Sequence, residues 1–375
     1  MSAALPEHTR LILDGTKIGW HLERVRAWER GERIAPITID MALTRACNYA
    51  CNYCYATLQE NDRKVITEPV IDRFLEDCAE IGVKGISLVS DGESTVSPVF
   101  EHTVVRGGEL GLSMACGTNG YLLTPAMLER ILPHMTYLRI NISAGERDRY
   151  AEIMGVKHAY YDRVLQNIRD AVRIKRERGL RVTIGLQMVL MPQFGDQVLP
   201  LARLGRELGV DYCIFKHCSD NEDGDLKVEY DGYAALHDTL REAEAMSTDS
   251  YQVSVKWSKI IAGQQRSYQR CYGPPFILQL SGSGLVAPCG MLFNERYKKF
   301  HIGNICDTPF REIWASDAYW EVMNYLASPA FNAQTMCGTL CLQHKVNEAL
   351  DAWRRGEGTL EPAAGATPPD HINFI

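Results

Sequence analysis

Along the chain, short runs of apolar and β-branched residues alternate with longer stretches whose apolar positions recur every three or four residues. Ile37–Leu43 reads as a first strand. Pro69–Ile81 then reads as a helix with Ile71, Phe74, Leu75 and Cys78 on one face. The rhythm continues with a strand at Ile86–Val89, a helix near Val99–Leu110, a strand near Leu112–Cys116 and a helix at Pro125–Leu132. Tyr137–Ile142 is the fourth strand, and Tyr160–Arg178 a long helix with Val164, Ile168, Val172 and Ile174 inward. Val182–Leu190, Val198–Leu208, Tyr212–Phe215 and Tyr233–Ala245 extend the series. Six strand-then-helix units predict an α/β fold with a parallel sheet, doubly wound or a full or partial barrel, whose active site gathers at the carboxyl ends of the strands.

The pattern changes at both ends. Residues 1–36 are polar, with one possible helix at Trp20–Arg30, and form an N-terminal extension ahead of the 37–256 barrel region. Beyond Lys256, residues 257–355 hold a Gly/Pro/Ser-rich segment with a hairpin expected at Phe276–Leu280 and Leu285–Pro288. Helices near Pro309–Leu326 and Leu340–Arg354 follow, and the tail 356–375, rich in Gly and Pro, is expected to lie loosely over the surface.

Composition narrows the function. The 375 residues are 46% hydrophobic and 23% charged, ordinary for a globular protein. No apolar run approaches the ~18 residues of a membrane span, and no export signal opens the chain, so a cytoplasmic setting without membrane partners is expected. A net charge of -7 argues against duplex nucleic acid as a partner. Twelve cysteines in such a chain point to metal or redox work rather than to a disulfide framework.

The sharpest signal is Cys47-Asn48-Tyr49-Ala50-Cys51-Asn52-Tyr53-Cys54, directly after the first strand. At this cysteine content the triple spacing arises by chance in roughly 1% of chains. Three thiolates from one loop can hold a four-iron cluster and leave one iron open. A zinc loop is the alternative, although the fourth ligand of a closed zinc site is missing nearby.

This loop resembles the signature of the radical S-adenosylmethionine (SAM) superfamily, and the expected partial (β/α)6 TIM-like barrel is similar to that family's fold. The resemblance implies that Cys47, Cys51 and Cys54 hold a [4Fe-4S] cluster whose open iron binds SAM. Reductive cleavage would then give a 5'-deoxyadenosyl radical, with the electron supplied by a flavodoxin or ferredoxin-type donor. It places Tyr53 next to the adenine. Asp91-Gly92-Glu93-Ser94 is similar to the family segment that receives the SAM amino group, with Glu93 keeping the carboxylate and Gly92 the close approach. Asn119 after the third strand, Ser143 after the fourth and Gln187 on the fifth are the further SAM-side candidates.

Downstream, Cys271, Gly284, Cys289, Cys337 and Cys341 resemble the family's SPASM extension in its shorter, twitch form. Four cysteines suffice for one auxiliary [4Fe-4S] cluster, with structural zinc as the alternative and Cys306 a spare. Cys213, Cys218, Lys216 and His217, around the sixth strand, are the candidates for chemistry on the substrate, with Asp220 beside them and Cys116 as another thiol expected to face the cavity. The resemblance leaves three reactions open. These are dehydrogenation of an alcohol carbon in a sugar, aminocyclitol or sugar-nucleotide-like small molecule, redox-neutral epimerisation using a cysteine hydrogen donor, and maturation of a ribosomal peptide.

Overall fold

The computed structural model describes residue 11 and residues 15–262, 265–337 and 341–375. A 3-10 turn, Gly15–His21, leads into α1 (Leu22–Glu29) and then β1 (Thr38–Met41). The units that follow are α2 (Glu68–Ile81), β2 (Gly85–Leu88), α3 (Phe100–Glu109), β3 (Ser113–Thr118), α4 (Pro125–Ile131) and β4 (Met135–Asn141). Then come α5 (Arg147–Met154), α6 (His158–Glu177), β5 (Thr183–Leu190), α7 (Val198–Leu208), β6 (Tyr212–His217), α8 (His237–Glu244) and β7 (Gln252–Val255). The C-terminal part contains α9 (Trp257–Ala262), β8 (Ile277–Leu280), β9 (Leu285–Ala287), β10 (Gly303–Asn304), α10 (Phe310–Ala315), α11 (Asp317–Ala327) and α12 (His344–Arg354).

All ten strands form one sheet, in the order β10-β9-β8-β1-β2-β3-β4-β5-β6-β7. The strands β1 to β7 are parallel, so the expected alternation is present with one strand more than the sequence rhythm indicated. The extra strand, β7, is only four residues long and carries a single fully buried apolar side chain, Val253, which is too little for a periodic signal. The expected hairpin is β8–β9. Its first strand also pairs in parallel with β1, Thr38 opposite Ile277 through Met41 opposite Leu280. The C-terminal part is thereby built onto the barrel sheet.

The helix faces are those the spacing predicts. Ile71, Phe74, Leu75 and Cys78 of α2 are buried, as are Val164, Ile168, Val172 and Ile174 of α6. Each such aliphatic or aromatic side chain contributes roughly 1.5–3 kcal/mol on leaving water. The single helix expected over 309–326 is two, α10 and α11, because Ser316 is extended and caps α11 through Oγ to the N–H of Tyr319 at 3.2 Å.

The tail departs from expectation. It turns under the barrel and closes its amino-terminal end. Thr38 Oγ1 donates to the carbonyl of Asn373 at 2.7 Å, and Asn373 Nδ2 donates to Ser113 Oγ at 2.9 Å. His371 Nε2 lies 2.6 Å from Thr183 Oγ1, and Phe374 packs edge-on against Tyr137. Composition marked this segment as loose, but its last seven residues carry three apolar side chains, Ile372, Phe374 and Ile375, and two polar residues, His371 and Asn373, that meet the open strand ends.

Candidate functional site

The loop after β1 lies at the carboxyl end of the sheet and is fixed from three sides. A Cβ on Gly92 would stand 1.9 Å from the carbonyl oxygen of Thr44, and one on Gly282 would stand 2.3 Å from the same oxygen. Only hydrogen at these two positions lets the loop pass between the β2 turn and the β8–β9 turn. The Glu93 N–H donates to the carbonyl of Ala46 at 3.0 Å. On the far side Asn52 N–H donates to Ile153 at 3.0 Å, and the Tyr49 and Tyr150 hydroxyls meet at 2.8 Å. Cys47, Cys51 and Cys54 project from this frame as free thiols. Cys47 and Cys54 each push the Cys51 thiol pKa up through their charge, and Cys54 does the same to Cys47, which shows that the three converge. Beside them Asn48 Nδ2 is buried with no partner. Three converging thiols and an unspent donor suit an anionic cluster with one open position.

Glu93 is 4% exposed and receives four donors: Thr95 N–H and Oγ1, Thr118 Oγ1, and the Asn119 N–H at 2.7 Å. Three of them share Oε1, which leaves a lone pair on Oε2 for an ammonium. Asn119 is a positioning residue here. Its N–H holds Glu93 and its Nδ2 donates to Asn48 Oδ1 at 2.7 Å. Asp91 does not face the same space. Its carboxylate accepts from Ser281 Oγ at 2.6 Å and from the Gly282 N–H at 2.8 Å, so it fastens the β8–β9 turn instead of a ligand. Tyr53 and Ser143 are buried together, with the Tyr53 hydroxyl also 3.1 Å from Met154 Sδ. Gln187 donates to Asn141 Oδ1 at 2.8 Å.

The strand β6 separates its candidates. Tyr212 faces the barrel interior, against the face of Gly185, and Lys216 shares that face, where it senses Arg139 and Asp40. Cys213 lies on the other face. It abuts Tyr251, whose hydroxyl donates to Ala202 on α7, so this thiol packs into the helix layer and cannot reach a ligand in the barrel. Cys116 shares that fate, two residues beyond Met114, which packs on Gly107 of α3. Cys218 is different. Its Sγ lies 3.6 Å from the carbonyl of Tyr53, against the first cysteine loop. Asp220 accepts from the N–H groups of Asn221 and Leu226 and so closes its own loop. His217 is buried, and neither ring nitrogen has a partner. Burial, with Lys259 and Lys216 nearby, holds its pKa well below the usual imidazole range.

The second cysteine group assembles four thiols. Cys341, Cys337 and Cys289 all push the Cys271 pKa further up than burial alone would. A small apolar cluster, including Tyr268, Leu292, Phe300 and Phe331, wraps them. Two further residues, which sequence spacing does not mark, serve this site. Asn347 on α12 donates through Nδ2 toward Cys271 Sγ at 3.8 Å and Cys341 Sγ at 3.6 Å, and its Oδ1 accepts the N–H groups of Tyr272 and Gly273. Arg266 donates to the Cys337 carbonyl at 2.7 Å and toward its Sγ at 3.6 Å. Amide and guanidinium donors aimed at sulfur fit a thiolate-bound cluster. Cys306 stands apart, its Sγ near the carbonyls of Val65 and Ser283.

Inside the barrel lie three charged side chains that the motifs also do not mark: Asp40 on β1, Arg139 on β4 and Lys256 just after β7. Their signal in the sequence is a charge within or beside an otherwise apolar strand. Asp40 accepts from Gln279 Nε2 at 3.2 Å, and Gln279 Oε1 in turn accepts from the N–H of Gly290, beside Cys289. A hydrogen-bonded path therefore joins the barrel interior to the second cysteine group.

Comparison with known proteins agrees with this geometry. Residues 41–204 match the radical SAM superfamily, and residues 271–341 match the SPASM iron-sulfur cluster-binding domain. An AdoMet-dependent heme synthase of Methanosarcina barkeri is 24% identical over 337 residues, 83% of this chain and 90% of that protein. A tungsten-containing aldehyde ferredoxin oxidoreductase cofactor-modifying protein of Pyrococcus furiosus is 21% identical, covering 74% of this chain and 81% of its own. In fold, the chain is similar to Streptococcus suis SuiB bound to S-adenosylmethionine, with a TM-score of 0.62 and 16% identity over 81% of this chain and 72% of that one.

Proposed function

Since the chain belongs to the radical SAM superfamily and carries a SPASM iron-sulfur domain, we propose that this radical SAM enzyme is oxidative, dehydrogenating an alcohol carbon of a small molecule held in the barrel mouth. Sugars, aminocyclitols and sugar-nucleotide-like molecules are the candidate substrates, and the names of the two long-matching relatives add cofactor precursors. When bound, SAM and the two [4Fe-4S] clusters supply a hydrogen-abstracting 5'-deoxyadenosyl radical and an acceptor for one further electron. The observation that carries the reading is the second cysteine group. Four thiols complete a cluster's ligand set and leave it no open position for substrate, which suits electron transfer.

The protein's own residues then divide the work. Cys47, Cys51 and Cys54 hold the first cluster, and Cys271, Cys289, Cys337 and Cys341 the second. Glu93 takes the SAM ammonium, with Thr95, Thr118 and Asn119 fixing its carboxylate. Tyr53, Ser143 and Gln187 line the adjacent strand ends. The alcohol carbon loses a hydrogen atom and then an electron, and its hydroxyl loses a proton. His217 shares the parity of Cys213 on β6 and packs toward Tyr233, so that proton passes to water in the barrel mouth. A flavodoxin or ferredoxin-type protein supplies the initiating electron.

A second reading rests on Cys218. It is the one candidate thiol of β6 beside the first cysteine loop, where it could return a hydrogen atom in a redox-neutral epimerisation. Substitution Cys218→Ala separates the two: an epimerase loses turnover, whereas a dehydrogenase keeps it.

Anaerobic iron and sulfide determination tests the main reading. About eight irons per chain are expected, falling to about four in the Cys47/Cys51/Cys54 triple alanine variant, at four irons per cluster. About four irons falling to none would leave the second site without a cluster and the dehydrogenation without its acceptor.

A further inference from the structure

The barrel interior carries positive charge that the protein does not neutralise. Arg139 on β4, Lys216 on β6 and Lys256 just after β7 share this space, since Lys216 senses Arg139, Lys256 senses both, and all three act on Asp40. Asp40 is the carboxylate they share, and burial raises its pKa to about 6. Among the described residues, none of the three cations has an ion-pair partner, and Arg139 Nε is buried without any hydrogen bond. Lys259 is a separate case. It donates to the Leu342 carbonyl beside Cys341 and Cys289, and so balances those thiolates.

Burying like charges together is unfavourable unless something offsets them. The cost is visible in the lysines: burial and the neighbouring cations pull Lys216 down to about 7 and Lys256 well below its usual range. Yet all three side chains, and Asp40, are only half-buried. Groups that are deep in the barrel and still retain free surface line a space that water and ligands enter. Such a lining is strained when empty and relieved by negative charge.

We propose that the barrel chamber is a polyanion site, in which Arg139, Lys216 and Lys256 hold at least two carboxylate or phosphate groups of the substrate. This deepens the proposed reaction and rests on its placement in the barrel mouth. It selects sugar-nucleotide-like or carboxylated substrates and disfavours aminocyclitols, whose ammonium groups would meet the same cations.

The test is calorimetric titration of the reconstituted, SAM-saturated protein with citrate, pyrophosphate and glucose. Citrate or pyrophosphate is expected to bind alongside SAM, more weakly as salt rises, while glucose does not. The stronger of the two anions assigns the group as carboxylate or phosphate. Lys216→Gln and Lys256→Gln are each expected to weaken binding about tenfold or more, the loss of one charge-assisted contact. The proposal is overturned if neither anion binds the wild type, if both variants bind as tightly, or if the anion displaces SAM. Iron content and SAM affinity measured on the same samples keep the outcomes apart. Their loss in the wild type sinks the enzyme reading, whereas anion binding lost with both intact sinks this inference alone. The salt dependence of the wild type decides the matter should a variant fail to fold.

Discussion

Glu93 and Asp91 stand two residues apart and do different jobs. Glu93 keeps a lone pair open toward the cysteine loop, whereas both oxygens of Asp91 are spent on Ser281 and Gly282. Glu93→Ala is therefore expected to abolish the shift that SAM causes in the reduced cluster's EPR spectrum while leaving the iron in place. Asp91→Ala should do the reverse. It should retain SAM binding but lose about 2–4 kcal/mol of stability in urea, through two buried hydrogen bonds to a charged acceptor. Asn347 makes a third residue-scale prediction. Replacing it with leucine removes N–H donors from two sulfurs and should move the second cluster's potential negative, by up to about 40 mV for each ~1 kcal/mol contact, with the first unchanged. The cysteines and Glu93 were legible because their chemistry demands fixed spacing in one loop or turn. Asn347 and Arg139 were not, since each meets its partners only through the fold, and strand parity alone could have put Cys213 outside the cavity.

At the level of elements, the sequence rhythm located six of the seven strands β1–β7, the hairpin and the buried faces of α2 and α6, because long amphipathic segments repeat their signal. It missed β7, four residues with little apolar content, and misread the tail, whose Gly and Pro residues describe the path to the barrel and not its docked end. The docked end titrates. His371 is 2% exposed, and burial, with Lys17 and Arg139 nearby, lowers its pKa to about 3; Tyr137, Tyr212 and Thr183 face it without offering charge at neutral pH. Between pH 6.5 and 3 the unfolded chain binds this proton and the native protein does not, so stability falls as pH falls across that window. The cost reaches roughly 2 kcal/mol by pH 5. His371→Gln should remove that share of the acid sensitivity, read as a flatter plot of unfolding midpoint against pH from 7 to 5.

Across the whole molecule, the two iron-sulfur regions are one folding unit. The pairing of β8 with β1, the grip of Asp91 on the β8–β9 turn and the passage of Thr44 between Gly92 and Gly282 all cross the boundary between them. A fragment ending at residue 262 would expose β1 as an unpaired edge and strip Asp91 of its two hydrogen bonds from Ser281 and Gly282, leaving only Arg45 at 3.6 Å. The fragment is expected to aggregate, and the full protein to melt in one calorimetric transition. Two well-separated transitions would contradict the shared sheet. The floor of the barrel has a consequence in time. Residues 369–375 seat beneath strands that begin at Thr38, so nothing can seal the underside until the ribosome has delivered the whole stretch between them. At 5–20 residues per second that interval is about 17–70 s. Throughout it the nascent barrel stands wet from below, and its maturation is paced by its last few codons to be read in that stretch.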